Sequence, residues 1–172
     1  MNELDEIWAK MLANSAADAR AAGRHDVADY LALKAFNDQI RERAVRWLFE
    51  TFLELAGIAN RHQAAISIER EDPHRFQLRG AQLAGSRLLF RLGVRCLTLE
   101  AGWTRTPADG FMRGGALAAG RITHFGLKHA DVELGLRQTE DLPKWFSIDK
   151  NDISTELELA HLHKHFDIFL DR

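Results

Sequence analysis

Two arginines, two threonines, an aspartate, a tryptophan, a phenylalanine and three glycines fall within residues 103–115, WTRTPADGFMRGG. A glycine-rich loop lets backbone N–H groups approach an anion, and a long loop inside a compact domain is a common place for function. Arg105 and Arg113 have the planar forks to clamp a carboxylate or phosphate. Thr104 and Thr106 supply hydroxyl donors, Asp109 a counter-charge, and Trp103 or Phe111 a surface for an apolar part of a ligand. The same residues also suit a plain turn over 106–110, with arginine and aspartate paired to each other. No lysine follows the glycines, which excludes a phosphate-binding P-loop.

The C-terminal segment ELELAHLHKHF is a second candidate. On a helix Glu158, His161 and His165 recur at i, i+3 and i+7, a spacing suited to a divalent metal, with Glu50 or Glu54 as further ligands from another helix. A polar helix face with histidines near its C-terminal dipole is the plainer reading. His124 and His129 flank a turn at Gly126, where either could act as a general base oriented by Glu100 or Asp109. No nucleophile elbow accompanies them.

Elements that position these residues follow from periodicity. Apolar residues at helical spacing predict a helix over residues 3–22, ended by Gly23, and a long second helix over 27–59 with Asp26 as its cap. The apolar arc of the second helix is wide around Trp47, Phe49 and Phe52, which predicts burial on a sheet or contact with a second copy, and Asn37-Asp38 marks a possible bend. From residue 64 the rhythm changes to alternation. Strands are expected near 66–69, 75–79, 86–92, 95–103, 117–125, 132–137 and 145–148, with a loop at 80–85.

Gly93-Val94 predicts a type II′ hairpin turn. Leu92 then pairs with Arg95, Phe90 with Leu97 and Leu88 with Leu99, while Arg87 meets Glu100 on the other face. A last helix opens at Asp152 or Ser154. The order of helices, sheet and helix, with connections too short for parallel crossovers, predicts an α+β domain: an N-terminal helical pair (1–62) and a C-terminal helix (150–172) on an antiparallel meander of six or seven strands (63–149).

At 172 residues, 46% hydrophobic and 28% charged, the chain has the size and composition of one ordered domain. Cys96 is the only cysteine, so no internal disulfide forms and a reducing compartment is expected. An acidic N-terminus without an apolar run predicts a cytoplasmic protein with no membrane partner. Residues 64–127 carry nine arginines against five acids, whereas both flanking segments are net acidic. Arg75, Arg79, Arg87 and Arg91 on one sheet face would suit phosphates, but interleaved aromatics are missing and the overall charge of −2 does not suit a nucleic-acid binder. The leading expectation is therefore a non-enzymatic ligand-binding or protein-interaction module, homodimeric, with an anion-friendly loop at 103–115. A small enzyme or metal protein built on the histidines is the alternative, and nucleic-acid binding through the arginines the third.

Overall fold

A computed structural model describes residues 3–149 and 151–171, apart from the side chains of 3–6, 107 and 113. The chain forms two compact units, Met1–Glu42 and Arg43–Arg172. Helix α1 (Glu3–Ala21) and the first part of α2 (His25–Arg61) make the first. Gly23, at φ +74°, closes α1 in the left-handed conformation that a side chain disfavours, with the Arg24 N–H donating to the Ala19 carbonyl at 2.8 Å. Asp26 lies in the first turn of α2 rather than at its cap, and α2 continues helically through Asn37-Asp38, where Asp38 pairs with Arg41 at 2.7 Å.

The second unit is the α+β arrangement. Seven antiparallel strands lie in chain order: β1 (Ser67–Leu78), β2 (Ala81–Leu92), β3 (Arg95–Trp103), β4 (Ala118–His124), β5 (Val132–Arg137), β6 (Lys144–Ile148) and β7 (Ser154–Glu156). Gly93 turns the chain at φ +58°, and the pairs Leu92 with Arg95, Phe90 with Leu97, Leu88 with Leu99 and Arg87 with Glu100 form as expected.

Three boundaries differ from the sequence expectation. The first two expected strands are one, β1, continuous through Asp72-Pro73 with a register shift between Glu71 and His74. Residues 81–85 are strand rather than loop, because Arg79 and Gly80 both take positive φ, as the central residues of a tight hairpin turn do. Residues 154–156 pair with β6 instead of opening the last helix, and α3 spans Leu159–Leu170.

One face of the sheet carries Leu88, Phe90, Leu97, Leu99 and Ile122, all fully buried. Phe52 of α2 and Phe166 of α3 close on Phe90, with ring centroids 6.1 and 6.3 Å away. Each such side chain contributes about 2–3 kcal/mol by leaving water, so this cluster outweighs any surface ion pair. Polar anchors fix the lid. The Trp145 indole donates to the Ala44 carbonyl at 3.1 Å, and the Asn60 side chain bonds both backbone groups of Ile66.

Gly85 pairs with Gly102, and Gly120 pairs with Ala101 one strand further on. A Cβ on Gly85 would fall 2.0 Å from the Ala101 carbonyl oxygen, and one on Gly120 would fall 2.4 Å from that of Glu100. Neighbouring backbones therefore close in along this line in a way only glycine allows. On the face away from α3, a smaller cluster of Phe76, Ala81 and Leu83 is covered by Leu78, Met112 and Ala119.

Candidate functional site

The 103–115 loop satisfies much of its own polar chemistry. Asp109 Oδ2 accepts from the Thr106 N–H at 2.7 Å, the Thr106 hydroxyl at 3.0 Å and the Arg105 N–H at 3.1 Å. The Thr106 backbone and hydroxyl hydrogen bonds, with the charge of Arg75 behind them, hold the Asp109 carboxyl below its ordinary range. Arg105 lies over the Trp103 ring, 4.1 Å from its centroid, and Trp103 itself is buried at the end of β3. Thr104 is half-buried, and Phe111 is 88% exposed. The side chain of Arg113 lies outside the described residues.

Part of the loop turns inward instead. Met112 and Gly114 roof a cavity of about 270 Å³ whose other walls include Leu78, Ala81, Leu83, Ala119 and Ile148. This is the hollow face of the sheet, and the loop reaches it because its ends leave β3 and enter β4, next to β2 and β5. Gly114 sits at φ +66°, and a Cβ there would come 3.6 Å from the Arg137 guanidinium. Arg137 stands on the cavity wall above the Phe146 ring, 5.6 Å from its centroid, and its buried Nε has no hydrogen-bond partner among the described residues. A buried donor left unpaired costs roughly 1–3 kcal/mol, and more when charged. Arg79 is on the same wall but is committed to Asp152 and Glu133, which hold its pKa above the ordinary value.

Leu78, Arg79, Glu133 and Ile148 also border a polar groove of about 640 Å³ that extends to Arg121, His129 and Asp131. Beside it lies an ionic chain, buried at His74 and Glu100, that sequence reasoning missed. His74 Nε2 is 2.8 Å from Glu100 Oε1, and His74 Nδ1 is 3.2 Å from Glu71 Oε1. Arg121 binds the second Glu100 oxygen, and Arg87 binds Glu71 at 2.6 Å. The His74 hydrogen bond, assisted by the Arg87 charge, lowers the Glu71 pKa. Both Glu100 oxygens are occupied, so the chain ties β1, β2, β3 and β4 together. His74 and Glu100 are 26 residues apart, and no local spacing signals their meeting.

The histidines do not gather with Glu158. His161 Nδ1 accepts the Glu158 N–H at 3.0 Å, inside the first turn of α3. His165 turns toward the sheet, with its Nδ1 3.1 Å from His124 Nε2 and the two rings stacked. Burial pushes both pKa values down, that of His165 to about 4, with the His124, Lys164 and His161 charges adding to the effect there. His129 lines the polar groove. Among the described residues no three His, Cys, Asp or Glu side chains are placed to hold a metal, Glu50 and Glu54 included.

Nor do the four sheet arginines share one face. Arg75 is paired with Ala84 and so lies opposite Arg87 and Arg91, and Arg79 occupies a turn. Arg79, Arg87 and Arg91 are each bound to a carboxylate. Cys96 is half-buried beside Thr98, with Sγ and Oγ1 3.9 Å apart. No described helix is long and apolar enough to cross a membrane. No family model matches this chain, and neither a curated protein nor a solved structure is similar to it.

Proposed function

We propose that this protein is a binding module for a small amphipathic carboxylate, held in the cavity between the 103–115 loop and the open face of the sheet. The observation that carries the reading is the Arg137 guanidinium on the wall of a hollow whose other charged lining residues, Arg79, Glu133 and Asp152, are paired with one another, its buried Nε having no hydrogen-bond partner among the described residues. A ligand carboxylate would supply the missing acceptor, and charge-assisted bonds of this kind are about twice as strong as neutral ones. Leu78, Leu83, Met112 and Ile148 would take the apolar body. A cavity of about 270 Å³ lies just under the usual size of small-molecule sites, roughly 300–1,000 Å³, and suits a compact acid such as hexanoate or benzoate. In this reading the loop works as a wall, and the cation comes from β5 rather than from Arg105 or Arg113.

The test compares thermal shifts with hexanoate, benzoate, hexanol and hexylamine. Ligand at about 100 times Kd adds roughly 2.7 kcal/mol of stability, a clear rise in Tm. The carboxylates are expected to raise Tm, the amine to leave it unchanged, and Arg137→Met to remove the rise. A carboxylate shift that survives in Arg137→Met, or no shift with either acid, overturns the reading.

A further inference from the structure

Large and small side chains are inverted in the helical hairpin of residues 1–42. Among its described side chains the buried apolar ones are Leu12, Ala19 and Ala28, two of them alanines. Ile7, Trp8, Met11, Tyr30, Leu33 and Phe36 are instead 44–64% exposed. Scattered exposed apolar residues are ordinary, but six bulky ones on a two-helix unit are not. A unit near 40 residues seldom folds without added support such as oligomerisation, and the buried alanines offer little apolar area.

We infer that this hairpin is a self-association surface, on which the hairpin of a second copy packs to complete a four-helix bundle. Area favours that occupant. With side chains of about 150–250 Å² roughly half exposed, these six residues offer about 600 Å² per copy, and their neighbours bring it toward the roughly 800 Å² per partner of a standard interface. An isologous pairing sets each apolar patch against its own equal and needs no complement elsewhere. Charge disfavours a lipid surface as the occupant: residues 1–42 hold eight acids and five Lys or Arg, whereas interfacial helices are basic on their polar face.

This surface differs from the one the sequence suggested. Within the wide arc of α2, Phe49 and Phe52 are buried in their own unit while Trp47 is exposed, and the hairpin's exposed side chains lie earlier in the chain. Sedimentation equilibrium on the full chain, from about 1 to about 100 µM, tests the inference. The expected result is a dimer that Tyr30→Glu combined with Phe36→Glu converts to a monomer, with the far-ultraviolet circular-dichroism signal of the fold retained. Should that double variant not fold, Met11→Gln with Leu33→Gln is read in the same way. A monomer across the whole range overturns the inference, and so does a variant that folds and stays dimeric, since association would then run through another surface such as a sheet edge.

Discussion

Phe52, Phe90 and Phe166 meet inside residues 43–172, whereas Trp8, Tyr30 and Phe36 of residues 1–42 face outward. Both regions draw on helices with similar proportions of apolar residues, yet only one has a sheet to receive them. In the second unit, strands with alternating side chains present a continuous apolar face, and α3 turns Leu162, Phe166 and Phe169 onto it. In the hairpin the described buried apolar side chains are Leu12 and two alanines, Ala19 and Ala28. The second unit also exposes bulky residues, Trp47, Phe111 and Phe125 among them, but among the described residues it alone gathers a cluster of fully buried aromatic and aliphatic side chains.

The sharpest way to break this contrast is truncation on each side of it. Phe52→Ala is expected to cost about 3–5 kcal/mol in urea unfolding of the sheet unit, the usual range for emptying an aromatic core site. Phe36→Ala, measured at a concentration where the protein is monomeric, is expected to change the same transition by less than about 0.5 kcal/mol. Equal losses would mean that the hairpin shares the core of the sheet.

Acidification is expected to separate the units more gently. The folded state keeps His165 neutral down to about pH 4, while an unfolded histidine takes up its proton near pH 6.5. Between those values the unfolded state binds more protons, so stability should fall as pH drops from about 6.5 toward 4. The neighbouring His129, His161 and Lys164 disfavour a proton on the His124–His165 pair, and Asp131 opposes them. Replacing His165 with Gln should flatten this slope in the urea unfolding transition. An unchanged slope would assign the acid sensitivity to other groups.

The smallest expected effect lies on the surface of the sheet unit. Lys144 is bound to Glu156 at 2.8 Å, both about half exposed, and Glu156 raises the Lys144 pKa. Solvent screens such pairs, and Lys144→Ala is expected to leave the urea unfolding midpoint almost unchanged. A loss comparable to that of Phe52→Ala would show that β7 is held by charge rather than by its backbone bonds to β6.

Much of the sheet was legible because its signals are local. Gly93 forces one turn type, and alternation then assigns every side chain from residue 88 to residue 99 to a face. The turn at Arg79-Gly80 was hidden because arginine rarely takes positive φ, so a two-residue hairpin read as the start of a loop. Strand β7 was missed because three residues carry too little pattern to distinguish it from the approach to a helix. Within the candidate site, residues 103–115 stand out by composition. Arg137 does not, since an arginine at the end of an alternating strand is also what a solvated face would contain.

By itself the sequence determined which segments coil, which pleat and how the central hairpin aligns, because backbone preference and side-chain period act over a few residues. Tertiary structure alone decided that Met112 and Arg137 share a cavity, that His74 lies between Glu71 and Glu100, and that His124 meets His165 across the core. Those meetings join residues from separate strands, loops and helices, and their geometry is set by how the sheet bends and where its lid settles, which no nearest-neighbour rule encodes.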